Sequence, residues 1–196
     1  MQTVFVCPTP AAILATAKSN WDEDGCTVSC RISYPLAQLP AVGTPLLDAL
    51  DKQFDITPSS YVITANALSL LLDAKRRLVA FDFFTNPRQW TECTLDAVTG
   101  TLVTPYFEAT FDGLGHASET GEPELLYDPA AGVLCWLWGS AEAWCSIAPT
   151  LALGLAADGR LMQIRLDGLF VPATARGKQE HSVSWLTTAR RLLGRS

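Results

Sequence analysis

The residues best placed by type and spacing to do chemistry lie in the glycine-rich stretch 112–123, DGLGHASETGEP. His116, one of two histidines in the chain, has four polar neighbours there: Asp112, Ser118, Glu119 and Glu122. An imidazole beside carboxylates is the usual composition of a general acid–base site. The glycine spacing fits neither a phosphate-binding loop nor a dinucleotide-binding turn. Two interpretations therefore stay open, an acid–base site on a mobile loop and a solvated loop histidine.

The six cysteines offer no comparable arrangement. Only Cys26 and Cys30 are close in sequence, and residues four apart on a strand lie about 13 Å from each other. That separation is too great for two thiolates to share a zinc ion at bonds of about 2.3 Å. Neither histidine is spaced to activate a thiol as a nucleophile. No metal and no cofactor are predicted, and the sequence favours a protein that is not an enzyme.

Three tryptophans could form a binding surface if they were exposed. Trp136 and Trp138 alternate on one face of a predicted strand, and Trp144 follows a few residues later. Exposed indole rings would provide a stacking platform for a sugar or a partner protein, whereas buried ones belong to the core. The apolar surroundings predict that at least two of the three are in the core.

The negative charge is concentrated in one part of the chain. The chain carries 14 Lys and Arg against 20 Asp and Glu, for a net charge of −6. Between Arg88 and Arg160 there is no basic residue, but there are ten carboxylates: Glu92, Asp96, Glu108, Asp112, Glu119, Glu122, Glu124, Asp128, Glu142 and Asp158. Such a segment projects a negative field. The sequence predicts an acidic binding face, and a solvated face balanced by the basic C-terminus is the alternative. Its candidate binding residues are Asp112, His116, Glu119, Glu122 and Glu124.

The elements that must position these residues are revealed by a repeat. Residues 65–84 and 148–167 match at seven of twenty positions at an offset of 83. In both, apolar residues fall on every second position, a polar turn follows, and Arg-Leu opens a second alternating run. This is the pattern of a β-hairpin that occurs twice.

The second copy extends upstream of that hairpin. Tyr127-Asp128-Pro129 and the run VLCWLW precede it, and Asp158-Gly159-Arg160 forms its turn. Residues 125–168 thereby resemble a small uncharacterised bacterial β-meander domain, which opens on a Tyr-Asp-Pro turn and closes on an Asp-Gly-Arg hairpin. The resemblance implies an antiparallel meander and carries no activity or site. Trp21-Asp22 and Asp73–Leu78 are fainter echoes of it in the first half.

The predicted fold class is α+β, mostly antiparallel β, with two repeated meander halves and about three peripheral helices. One half covers 1–110 with helices near 10–19 and 44–53, and the other covers 124–196 with a C-terminal helix near 184–194. Cap-type Thr-Pro pairs and apolar spacing carry the first two helix predictions. The two halves are expected to form one compact unit.

The function that fits these features best is non-enzymatic protein binding. An inhibitor or immunity-type protein needs only a rigid surface of complementary charge, and an acidic face suits a basic partner such as a toxin. The alternatives are a ligand-binding or structural module built from the duplicated meander, and a small hydrolase-like enzyme using the 112–123 loop. Homo-oligomerisation through free strand edges stays open.

Nucleic acid and membrane are not predicted as partners. The chain lacks the basic footprint that nucleic acid requires. Its longest apolar stretch, 133–157, is interrupted by Gly, Glu and Pro at strand-length intervals, although it is long enough to span a bilayer. The N-terminal residues MQTVFVCPTPAA lack the basic region of an export signal, so a cytoplasmic location with reduced thiols is predicted.

Overall fold

The computed structural model describes residues 3–35 and 60–177, which are almost entirely β-structure. Within them a single short 3-10 helix, Pro87–Gln89, accompanies fourteen strands. The strands are β1 Phe5–Pro10, β2 Thr16–Asp22, β3 Thr27–Ser33, β4 Ser60–Ala65, β5 Leu68–Asp73, β6 Leu78–Phe84, β7 Thr91–Glu92, β8 Thr101–Glu108, β9 His116–Glu119, β10 Glu124–Asp128, β11 Val133–Leu137, β12 Ala143–Ala148, β13 Leu151–Leu155 and β14 Leu161–Leu166.

The predicted α+β class is wrong, because the described chain contains no α-helix. The stretch 10–19, predicted to be helical, holds the end of β1, a bend and the start of β2. Pro10 closes an edge strand, where its missing N–H costs no ladder bond. The other two predicted helices, near 44–53 and 184–194, lie outside the described residues.

The strands form two sheets that enclose one hydrophobic core. The eight-stranded sheet has the order β1-β8-β12-β13-β14-β11-β10-β7, and the six-stranded sheet has the order β2-β3-β6-β5-β4-β9. Alternation along each strand sends one set of side chains inward, so Leu70 and Leu153 are fully buried at equivalent places in the two sheets. The result is a β-sandwich.

Aromatic side chains join the two layers at the centre. The ring of Trp136, on β11, lies 5.5 Å from that of Phe81 and 5.6 Å from that of Phe83, both on β6 and both met edge-on. Each such pair contributes about 0.5–1.5 kcal/mol beyond the area it buries. Trp136 therefore packs the eight-stranded sheet directly against β6 of the six-stranded sheet.

The structure contains the same three-strand meander twice. Strands β4, β5 and β6 correspond to β12, β13 and β14 at an offset of 83 residues. The register of the last pair is identical, since Leu70 faces Phe81 in one copy and Leu153 faces Ile164 in the other. Both pairs carry a bulge at the same place, after Leu71 and after Gly154.

The preceding hairpin is duplicated as well, now at an offset of 106. Asp22 faces Thr27 across β2 and β3, and Asp128 faces Val133 across β10 and β11. Both turns use a left-handed residue just before the second strand, Cys26 at φ 47° and Gly132 at φ 64°. The order β2-β3-β6-β5-β4 therefore reproduces the order β10-β11-β14-β13-β12.

Single strands cross between the two halves of the sequence. Strand β9, which precedes the second meander, pairs in parallel with β4 of the first, and β8 pairs in parallel with β12. Val6 of β1 faces Phe107 of β8 in an antiparallel ribbon. The Val6 N–H donates to Gly159 O and the Phe107 N–H to Arg76 O, each at 2.9 Å, and these carbonyls occupy equivalent turns. Single strands and backbone hydrogen bonds thus link the two halves of the sequence.

Candidate functional site

The outer face of the six-stranded sheet carries a row of polar side chains that crosses every strand. Backbone register places one outward residue of each strand beside the next, and the described side chains in this row are short hydroxyl, amide and carboxyl groups. From one edge to the other they are Asn20, Ser29, Asp82, Ser69, Thr64 and Ser118. The charged member, Asp82, is exposed near the middle.

A second row on the same face carries positive charge at one edge. Lys18 of β2 stands directly opposite Arg31 of β3, and both are exposed. Cross-strand like charges destabilise a sheet by a few tenths of a kcal/mol or more. The row ends at His116 on the opposite edge, beside Val62. Between these ends the row is apolar, with Ala80, Leu71 and Val62. The face is therefore bipolar, with two cations at one end of this row and single aspartates, Asp82 and Asp22, in the neighbouring rows.

A shallow hollow of about 730 Å³ lies over this face, and its lining includes Asn20, Asp22, Arg31 and Asp82. Within residues 3–35 and 60–177, the side chain of neither aspartate makes a hydrogen bond or an ion pair. Both carboxylates are exposed and free to accept hydrogen bonds from another molecule.

The equivalent face of the eight-stranded sheet is covered by the chain itself. Residues 93–100 leave β7 at the β10 edge and reach β8 beside β12, so they cross from one side of the sheet to the other. The Leu95 N–H donates to Asp128 Oδ2 at 3.0 Å, and Arg165 Nη1 donates to the Asp96 carbonyl at 2.6 Å. At Gly100 the approach is so close that a Cβ would lie 2.6 Å from Ser146 Oγ.

This cover changes the burial of the outward residues. Arg165, Cys135 and Ala152 face away from the core yet are all buried, whereas their counterparts Asp82, Ser29 and Ser69 are exposed or half-buried. Burial raises the pKa of the Cys135 thiol to about 11. Among the residues that the structure describes, the six-stranded sheet therefore has an open outer face, whereas residues 93–100 cover that of the eight-stranded sheet.

Two of the predicted site residues form a structural turn. Asp112 Oδ1 accepts hydrogen bonds from the N–H groups of Leu114 and His116, both at 2.9 Å. These backbone bonds, led by that of His116, hold the carboxyl pKa below its usual value. His116 is exposed at the start of β9, an edge strand rather than a mobile loop.

The remaining three predicted site residues lie apart from one another. Glu119 is buried and accepts hydrogen bonds from the backbone N–H and the hydroxyl of Thr3. Glu124 is exposed at the start of β10, in the other sheet, and Glu122 is exposed in the connection before it. The structure therefore pairs Asp112 with His116 and does not bring the five residues together.

Other carboxylates of the acidic segment are used within the fold. Asp128 and Asp158 cap turns, and backbone N–H groups, chiefly those of Leu95 and Arg160 respectively, lower the pKa of each. Glu92 pairs with Arg176. Other carboxylates of the segment, such as Glu142, are exposed. The acidic segment therefore contains both carboxylates that hold turns or ion pairs and carboxylates that face solvent.

The tryptophans and cysteines are largely structural. Trp136 is fully buried, Trp138 is half-buried with its Nε1 donating to the Gly121 carbonyl, and Trp144 is half-buried. All six cysteines are free thiols, and the described residues include no group of three His, Cys, Asp or Glu side chains arranged for a metal ion.

The open face of the six-stranded sheet was not predicted from the sequence, because the strand predictions used the apolar positions that face the core. The outward set gave a signal nonetheless: Ser29 and Arg31 alternate with apolar residues on β3, as Asp82 does on β6. That these positions form a row depends on register between strands far apart in sequence.

Over residues 3–35 and 60–177 the fold is an internally duplicated β-sandwich in which the described chain covers the outer face of one sheet and leaves that of the other open. Neither the protein-family models nor the curated proteins contain a match to the chain. In the part of the chain that the structure describes, no helix has the length and apolar character needed to cross a membrane.

Proposed function

We propose that the chain acts by binding another protein, as an inhibitor or immunity-type protein does, and that it binds through the open face of the six-stranded sheet. The observation that carries the proposal is the polar, bipolar surface that spans all six strands. Its equivalent on the other sheet is buried under the chain's own residues 93–100. A rigid sheet face of this kind provides the preorganisation that a binding surface requires.

The charges on the face support binding rather than stability alone. Lys18 and Arg31 are adjacent and unpaired within the described residues, an arrangement that weakens the free sheet. A partner carboxylate between Lys18 and Arg31 would remove the repulsion between these two cations. A basic group of the partner over Asp82 would give this carboxylate an ion-pair partner. The sequence predicted a basic partner. We now expect the basic part of that partner to contact Asp22 and Asp82.

The arrangement gives less support to catalysis. His116 lies at the far edge of the face, and the carboxylate of its own turn, Asp112, accepts hydrogen bonds from two backbone N–H groups. The interior does not favour a ligand-binding module either, because large side chains such as Trp136 and Phe81 fill the space between the sheets.

The test is co-expression with the product of the adjacent gene, followed by size-exclusion chromatography at low and high salt. We expect a complex whose affinity falls with added salt, because its charges are exposed. Lys18→Glu combined with Arg31→Glu should abolish the complex, whereas Glu142→Gln, a solvated carboxylate away from the face, should not. A complex that survives the double charge reversal would contradict the proposal.

A further inference from the structure

The two copies of the meander allow the covered face to serve as a template for the open one. Asp128 on β10 and Asp22 on β2 are equivalent, and the register places both at the same end of their hairpins. On the covered face, Asp128 accepts the N–H of Leu95. On the open face, Asp22 has no donor among the described residues. The same acceptor is thus present in both copies and is used by an extended segment in one.

The central position differs between the copies in the sign of its charge. Arg165 on β14 corresponds to Asp82 on β6, and each faces an outward residue of the neighbouring strand, Cys135 and Ser29 respectively. Arg165 donates to the backbone carbonyl of Asp96, as a cation must. A carboxylate at that place can only accept, so its complement is an N–H donor, and a cationic side chain gives the strongest such bond.

We propose that the open face binds an extended segment of the partner protein across its strands, as residues 93–100 cross the other sheet, with a lysine or arginine side chain over Asp82. A backbone N–H of the same segment meets Asp22. The inference rests on the proposed protein-binding function and adds the form and charge of what is bound. Peptide backbone supplies the donors, and the hollow above Asn20, Asp22 and Asp82 provides the room.

The test uses octapeptides derived from residues 93–100, CTLDAVTG. One set carries arginine at each position in turn, and a matched set carries glutamate. Binding to the full chain is measured by fluorescence anisotropy. We expect at least one arginine peptide to bind more tightly than its glutamate counterpart. Asp82→Asn should weaken that binding by roughly tenfold, as loss of one charge-assisted hydrogen bond predicts, and Asp82→Arg should reverse the preference.

Glu142→Gln is the control, and far-UV circular dichroism checks that each variant is folded. Equal binding of both peptide sets, or unchanged affinity in Asp82→Asn, would overturn the inference. Peptide binding that emerges only after residues 36–59 are replaced by a short Gly-Ser linker would also overturn it, because the face would then belong to the chain itself. If the partner complex responds to Lys18 and Arg31 but no arginine peptide is preferred, protein binding stands and the extended mode fails.

Discussion

Two buried tryptophans differ in whether their indole N–H has a partner. Trp90 Nε1 donates to Thr85 Oγ1 at 2.8 Å, whereas Trp136 Nε1 is buried without a hydrogen-bond partner among the described residues. An unmade hydrogen bond in the interior costs about 1–3 kcal/mol. Trp136 is therefore held by its packing against Phe81 and Phe83 at the expense of one unsatisfied donor.

We predict that Trp136→Phe destabilises the chain less than Trp90→Phe does, by about 1–2 kcal/mol. Both variants lose ring volume, but the first also removes the unsatisfied N–H and the second leaves Thr85 without its donor. Urea denaturation of the two variants and the parent chain measures the difference. Equal losses would show that the missing partner of Trp136 carries no energetic cost.

A second residue-scale prediction concerns pH. The N–H of Leu95, followed by that of Ala131, lowers the pKa of Asp128 in the folded chain, so the ionised form is the stabilising one. This stability is present above the unfolded value of about 3.9 and is lost as pH falls through the lower folded pKa. Asp128→Asn should therefore be less stable than the parent at pH 7, and the gap should narrow towards pH 2.5. A gap that is constant with pH in urea titrations would contradict this.

At the scale of the elements, strands with strong alternation of apolar and polar residues could be predicted from the sequence, and strands with weak alternation could not. Residues 68–84 and 151–167 alternate clearly because large apolar side chains face the core at every second position. Strand β2 sends Ala17, Ser19 and Trp21 inward, and two small residues give little period-two signal. The Thr-Pro pair before it then favoured a helix, although strand pairing with β3 overrides that local preference. Strand β9 is too short to show alternation among its neighbouring glycines.

The cover formed by residues 93–100 gives a prediction at the same scale. Arg165 holds it through the Asp96 carbonyl and is 8% exposed in its side chain, with Asp167 as its ion-pair partner. Arg165→Met should cost about 2–3 kcal/mol, because hydrogen bonds from a buried charge are lost. It should also speed hydrogen exchange at the Leu95 amide.

The matched control is Arg160→Met. Arg160 pairs with Asp158 at 2.6 Å, but the two side chains are 38% and 50% exposed, so the loss should stay below about 1 kcal/mol. Its effect on exchange at Leu95 should be absent. Equal behaviour of the two variants would mean that Arg165 does not fasten the cover.

For the whole molecule, the crossing strands make the two halves dependent on each other. Fragments 1–110 and 111–196 each lack a strand that their own sheet requires, because β9 completes the first sheet while β1 and β8 belong to the second. We predict that neither fragment folds alone and that mixing them restores the native far-UV and near-UV circular dichroism. Native-like spectra from either fragment alone would contradict this interdependence.

The open face of the six-stranded sheet belongs to the same scale, because it is assembled from strands that are far apart in the sequence. The polar row runs from Asn20 to Ser118, and its neighbours are set by register across five strand pairs. Alternation with apolar neighbours is a local signal that Ser29 and Asp82 point outward. It could not show that the two stand side by side, or that residues 93–100 close the other sheet.

The polypeptide contains two near-copies of one meander. The ribbon in which Val6 faces Phe107 joins them. In an assembly of two identical subunits, every substitution would alter both outer surfaces together. Here the equivalent positions Asp82 and Arg165 are encoded separately, so the outer faces of the two sheets can carry opposite charges. A single polypeptide with two copies therefore permits an asymmetry that a symmetric dimer excludes.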